Sequence, residues 1–194
     1  MLLVFLLDLY LVFREWDELT RSFAYFFNLQ GGFYFLIAAT FSKVIHELGH
    51  AYTAKRYGVR VPTIGAAFMV MWPVMYTDTG ETWKLADSRK QMAIASAGMA
   101  AELVLAIFAT LFWAIAPEGN VKYMLFILAT TTWILTLVVN ASPFMRFDGY
   151  FLLSDALDFP NLHERSFACG RWWIRRTFFG LKQELPEPTF SAGQ

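Results

Sequence analysis

Residues 33–54 read FYFLIAATFSKVIHELGHAYTA, a run long enough and apolar enough to cross a bilayer as a helix, with His46, Glu47 and His50 set inside it. Two imidazoles four residues apart share one helix face, one turn from each other, so both can ligate a single zinc ion. The glutamate after the first histidine is then placed as general base to that ion. Ionisable side chains at membrane depth are costly and call for a purpose. The chain has three histidines, and this motif takes two of them. The plain alternative, two solvent-facing histidines on an ordinary helix, fits poorly with the apolar residues on either side.

Composition extends the membrane reading to the whole chain. It is 57% hydrophobic and 16% charged, with 20 Phe, 7 Trp and a mean hydropathy of +0.41, where a soluble domain carries about a quarter charged residues. The formal net charge is zero, so bulk electrostatics give no reason to expect a nucleic-acid partner. Cys169 is the single cysteine, which excludes an internal disulfide and leaves histidine and carboxylate as the obvious metal ligands. Met1–Phe13 is apolar but lacks the basic start and small-residue cleavage site of a signal peptide. It is also too short to span unaided and carries Asp8, so it reads as a partial or interfacial helix. Arg14–Arg21 is polar, and the aromatic Phe23–Phe27 suits a belt at headgroup level.

The expected fold is an all-α integral membrane protein with three core transmembrane helices. The first span covers about Phe33–Ala54, introduced by Gly31-Gly32 and closed by Lys55, Arg56 and Gly58. The second covers about Met92–Ala116, stopped by Pro117, and the third about Tyr123–Val139. In the second span Ala93, Ala95, Ser96, Ala97, Gly98, Ala100 and Ala101 allow close helix approach in lipid. Between the first two spans, Val59–Tyr76 is apolar but broken by Pro62, Gly65 and Pro73. It reads as short extended segments, a membrane-embedded hairpin tolerable only where protein covers it or a wet cavity adjoins it. From Phe167 onward Arg171, Trp172, Trp173, Arg175, Arg176, Phe178 and Phe179 suit an in-plane helix, arginines on lipid phosphates and rings below them. Leu185–Gln194 reads as an exposed linker. The chain thus divides into residues 1–32 (partial helix and interfacial segment), 33–160 (membrane core) and 161–194 (interfacial helix and tail).

Basic residues cluster after the first span (Lys55, Arg56, Arg60), before the second (Lys84, Arg89, Lys90) and after the third (Arg146, Arg165, Arg171). That side is expected to be cytoplasmic. The first span then ends in the cytoplasm, and the third delivers Asn140–Tyr150 to the same side and depth as the histidines. A two-histidine zinc site needs a third protein ligand and an open position. Asp148, just past a membrane helix, is the best candidate, although an Asp-Gly pair alone usually signals a turn.

HELGH in a membrane helix, with Asn140, Pro143 and Asp148-Gly149 in the pattern N-x-x-P-x-x-x-x-D-G, resembles the site-2 protease family of intramembrane zinc metalloproteases. HELGHAYTAKRYGVRVPTIG, VMYTDTGETWKL, SAGMAAELVLA and MRFDGYFLLSDALDFPNL are similar to its bacterial peptide zinc metalloprotease branch. The resemblance implies zinc on His46, His50 and Asp148, with Glu47 as catalytic acid/base. It suggests that Asn140 hydrogen-bonds a substrate backbone or the developing oxyanion; capping of the third span is the equal alternative. Further membrane helices and an adaptor domain often follow in that branch, so the chain reads as a catalytic core of a longer protein or a short member.

Four other polar residues are weighed individually. Lys43 can pair with Glu47 at i,i+4 or simply neutralise charge in the membrane. Glu102, mid-span, is expected in a buried hydrogen-bond network. Asp78 is expected to form a turn in preference to gating the site, and His163 to be a surface residue and not a ligand. The expected activity is zinc-dependent hydrolysis of peptide bonds in a membrane-embedded or membrane-delivered peptide. The alternative is a non-proteolytic membrane subunit that keeps the metal fold for assembly or peptide export. The expected partners are a peptide or transmembrane-protein substrate, membrane lipids, and partner subunits or missing flanking domains. The expected location is the bacterial inner membrane, as a multi-pass protein with its site near the cytoplasmic face.

Overall fold

A computed structural model describes residues 2–69, 72–157 and 161–180. Asn28 caps the first long helix, its Oδ1 accepting from the Gly31 amide at 2.6 Å, and so moves the start back from the expected Phe33. This helix, α3 (Leu29–Arg56), holds Gly31-Gly32 in its first turn, where glycine disturbs little of the hydrogen-bond ladder. It is preceded by α1 (Leu2–Arg14), α2 (Trp16–Ser22) and a 3-10 turn over Phe23–Phe27. Lys55 and Arg56 close α3 with charge that suits its C-terminus.

The segment after α3 is the expected hairpin. β1 (Ile64–Met69) pairs antiparallel with β2 (Trp72–Thr77), in a register that sets Ile64 opposite Thr77 and Ala67 opposite Val74. The Asp78 amide extends the ladder by donating to Thr63 O at 2.9 Å. Val70 and Met71, which the sequence reading placed in this segment, lie outside the described residues. Asp78 forms the expected turn: its Oδ1 accepts from the Gly80 amide at 2.9 Å, opening a 3-10 turn over Gly80–Lys84.

Next, α4 (Ser88–Ile115) starts ahead of the expected Met92 because Asp87 caps it, accepting from the Arg89 amide at 3.0 Å. Then α5 (Asn120–Ile134) runs on into a π turn, Leu135–Asn140, closed by the Ala141 amide on Thr136 O at 2.8 Å. α6 (Asp148–Ala156) and α7 (Leu162–Phe179) follow. α4 and the continuous stretch Asn120–Asn140 are long and apolar enough to cross a membrane. α3 has the same 28 residues as α4, about 42 Å of helix, but Lys43, His46, Glu47 and His50 interrupt its apolar run. Two of the three expected spans therefore meet the combined test of length and hydropathy.

The three helices pack antiparallel in sequence order. Ala38 of α3, Trp113 of α4, and Phe126 and Ile127 of α5 form one core cluster. At the other end Ala54, Val59 and Ile94 form a second. α3 and α4 approach closely at Gly49, where an added Cβ would lie 2.6 Å from Ala97 O and 2.9 Å from Ala101 Cβ. Small residues on α4 permit this, as the sequence suggested. Outward faces are apolar too: Phe33 is 60% exposed, Phe112 50% and Val138 66%.

The N-terminal elements complete this unit, which extends to Leu152. α1 packs along α4, and Phe5 meets the Trp133 ring at 6.1 Å. Phe23 and Phe26 of the aromatic segment pack edge-on against Phe126 at 5.3 and 5.9 Å, because aromatic edges bury well on an aromatic face, while Phe27 is exposed. Lys122, buried at the start of α5, pairs with Glu18 of α2 and with Glu118. That ammonium holds the exposed Glu118 carboxyl below its usual range.

A second unit begins at Leu153. In it α7 exposes Phe167, Trp173 and Phe178, and Arg176 lies over the Trp172 ring at 5.1 Å. His163 is half-buried, its ring edge-on to Phe167 at 4.6 Å. The expected linker Leu185–Gln194 lies outside the described residues.

The α3–α4 approach is testable by methyl addition. Gly49→Ala overpacks the crossing and should cost about 1–3 kcal/mol, read as a lower thermal midpoint in detergent. Gly32→Ala, whose Cβ meets nothing, should leave the midpoint unchanged or raise it. Equal midpoints for the two variants would show that the helices do not touch as described.

Candidate metal centre

His46 and His50 lie in the C-terminal half of α3 and are 3% and 8% exposed. Their rings stand nearly perpendicular, with centroids 4.8 Å apart and the Nε2 atoms 3.1 Å apart. His50 Nδ1 is 2.7 Å from Ile94 O. A carbonyl can only accept, so Nδ1 carries the hydrogen and Nε2 of the neutral ring keeps its lone pair. His46 Nδ1 faces Glu102 Oε1 at 3.3 Å, which turns its own Nε2 toward the same point. Two bare nitrogens at this separation repel unless a cation lies between them.

Asp148 supplies the third atom. Its Oδ2 is 2.8 Å from His46 Nε2 and 3.3 Å from His50 Nε2. Tetrahedral zinc with bonds near 2.0–2.1 Å sets its ligands about 3.3 Å apart. The triangle of 2.8, 3.1 and 3.3 Å is close to one face of such a tetrahedron. Among the described residues these three form the metal-competent group of histidine and carboxylate. The donor set, two nitrogens and one oxygen with a side left open, fits zinc.

Glycines make the triangle feasible. A Cβ on Gly98 of α4 would strike His50 Nε2 and lie 2.7 Å from His46 Nε2. A Cβ on Gly149 would lie 2.5 Å from the Ala141 carbonyl. Because Gly149 has none, the first turn of α6 passes against the end of the π turn and Asp148 reaches the imidazoles. The Asp-Gly pair is thus a helix start, not an isolated turn.

Behind the triangle sits Glu102, which is 0% exposed. Its Oε2 accepts from Thr136 Oγ1 at 2.8 Å and Asn140 Nδ2 at 2.7 Å; its Oε1 accepts from Ser42 Oγ at 3.4 Å. Lys43 Nζ donates to Asn140 Oδ1 at 3.2 Å and lies 3.9 Å from Glu102. Of the two readings of Lys43, charge neutralisation is the one borne out: its ammonium faces the buried Glu102 carboxylate. Glu47 is half-buried, about 60° around the helix from His50. Its carbonyl accepts from Thr77 Oγ1 at 3.1 Å, which ties β2 to α3.

Residues 34–133, just over half of the chain, match peptidase family M50. The chain belongs to that family. M50 proteins are membrane metalloproteases that use zinc. The matched region holds the HELGH motif and Glu102 but stops before Asn140 and Asp148, so the M50 match leaves those two to the geometry. A Methanocaldococcus jannaschii protein described as uncharacterized is 34% identical over 71 residues, 36% of this chain and 20% of that protein. The chain thus spans about a fifth of the length of this relative. No solved structure matches the chain.

Of the candidate site residues, His46, His50 and Asp148 stand around one point and Asn140 lies behind it; Glu47 follows His46 on α3. Sequence reasoning placed Glu102 in a buried network but missed that the network is built on a candidate ligand. The signal was available, since Gly98 and Glu102 are four apart on α4 and so share a face. One position leaves room for the imidazoles; the other receives one of them.

Gly98→Ala tests the triangle directly. The added methyl occupies the space between the Nε2 atoms, so retention of Co2+ by the purified protein should fall at least tenfold, as for loss of a ligand contact. Metal content after dialysis reads the outcome. Wild-type retention in this variant would mean that the metal does not sit between His46 and His50.

Proposed function

We propose that the chain is a zinc-dependent endopeptidase that hydrolyses peptide bonds of membrane-embedded or membrane-delivered peptides. The observation that carries this reading is the convergence of His46 Nε2, His50 Nε2 and Asp148 Oδ2 beside Glu47 in a family of membrane metalloproteases. Zinc held there would act as Lewis acid toward the scissile carbonyl and bring a water into the neutral titration range. His46 and His50 offer neutral lone pairs, and Asp148 offers one anionic oxygen. Glu47 accepts a proton at its carboxylate and passes it to the leaving amine. His46 and His50 are buried, so the fixed charges act in a lowered dielectric, while the partly exposed Asp148 marks the side from which water reaches the centre.

The reading takes α3 as a third passage through the bilayer beside the two stretches long and apolar enough to cross it. In α3, Ser42, His46 and His50 are buried toward the site, while Phe33, Phe35 and Phe41 are exposed. The end that carries Lys55, Arg56, Arg89 and Lys90 is assigned to the cytoplasm by the distribution of basic residues, in a cytoplasmic membrane of bacterial type. The hairpin tied to Glu47 lies at that end, where an extended peptide can add to its edge.

Single cysteines at Gly58 and Asn120, both exposed, in a Cys169→Ser background should react with a membrane-impermeant thiol reagent from opposite faces. Labelling of both from one face would remove a span and this topology with it.

Glu47→Gln keeps the size of the side chain but cannot take the proton. The variant should retain zinc and lose activity by roughly 10²–10⁴-fold. Mass spectrometry of membranes from cells expressing wild type or the variant reads this as cleavage products present in one and missing in the other. Identical product sets would sink the peptidase reading and favour the non-proteolytic subunit.

A further inference from the structure

Glu102 meets the face of His46 that the metal does not use. Its Oε1 is 3.3 Å from Nδ1, and its Oε2 is held by Thr136 and Asn140 at 2.8 and 2.7 Å. A carboxylate with no exposure in a helix bundle is unfavourable unless its lone pairs are answered. Here four side chains answer them: Ser42, His46, Thr136 and Asn140, from α3 and the π turn. Lys43 adds a cation at 3.9 Å. We propose that Glu102 is the positioning residue of His46. It holds the Nδ1 hydrogen and the ring plane so that Nε2 faces the ion, and it fixes the Asn140 amide as a brace of this assembly. The inference rests on the metal reading given above and adds a named part to it.

The two histidines are oriented by different means. His50 is held by the main-chain carbonyl of Ile94, which no substitution removes. His46 is held by a side chain, so its orientation depends on residue identity at position 102. Carboxylates in this relation to a ligand histidine fix its tautomer and raise its basicity. Asn140 is drawn into the same unit. It is 2% exposed, its Nδ2 faces the carboxylate, and its Oδ1 accepts from Lys43 at 3.2 Å. Only one amide orientation satisfies both neighbours, oxygen to the ammonium and nitrogen to the carboxylate. With both ends engaged and the side chain buried, Asn140 braces Glu102.

The test uses Co2+ binding to the purified full chain in detergent, by chelator competition and by the visible absorption of the bound ion. Glu102→Gln should weaken Co2+ binding by roughly 10–100-fold and shift the absorption band as His46 loses its set. In a His46→Ala background the same change should cost nothing further, because the residue through which it acts is gone. A merely structural Glu102 would cost the same in both backgrounds, and that result overturns the proposal. Should Glu102→Gln not fold, Thr136→Val removes one hydroxyl from Oε2 at constant shape. It should weaken Co2+ binding in the same direction by roughly threefold, the worth of one hydrogen bond. Unchanged affinity and spectrum in every folded variant also overturn it. A wild-type chain that binds no Co2+ would instead remove the metal reading itself.

Discussion

The burial of charge among apolar helices is the constraint on which the rest of the structure depends. Glu102, His46, His50 and Lys43 sit where neither lipid nor apolar side chains can hydrate them. Each is tolerable only because the others are within a few ångströms. This ties the register of α3 against α4, and of α4 against α5, to electrostatics as well as to packing. Sliding α4 by one turn would strand Glu102 without Thr136, Asn140 and His46, and a stranded buried carboxylate costs more than repacked apolar side chains return. The Ala38–Trp113–Phe126–Ile127 cluster at the other end fixes the helices in the same register, so packing and polar pairing agree.

That agreement explains the irregular elements. The π turn Leu135–Asn140 ends α5 with Thr136 and Asn140 both donating to Glu102, and π turns of this kind recur at functional sites. α6 starts at Asp148, immediately beyond the loop that leaves this turn. The hairpin is bound to α3 through Thr77 and the Glu47 carbonyl. Each irregularity lies within one or two residues of a group that faces the candidate centre.

Much of this was legible in the sequence, and the parts that were not have physical reasons. The spacing of His46 and His50, the small residues of α4 and the proline-broken segment before it pointed to the helix face, the close crossing and the hairpin. Helix starts were read late because Asn28 and Asp87 cap from positions outside the apolar run, and hydropathy is blind to caps. Helical spacing offers Lys43 only Glu47 as a named partner, beside the general reading of charge neutralisation, because it reports neighbours on the same helix alone. Glu102 and Asn140 come from other helices, and their meeting with Lys43 is a property of the tertiary register.

Gly49, Gly98 and Gly149 occupy three tight points of the centre, where backbone or imidazole fills the space that a side chain would take. A glycine has no smaller replacement, so every mutation at these positions adds bulk. The site therefore stands at an edge of the accessible sequence space. Stepwise drift there is closed, and variation must come from residues that set the helices apart. A lineage that lost one of these glycines could recover the geometry only by reversion or by repacking α3 against α4 throughout.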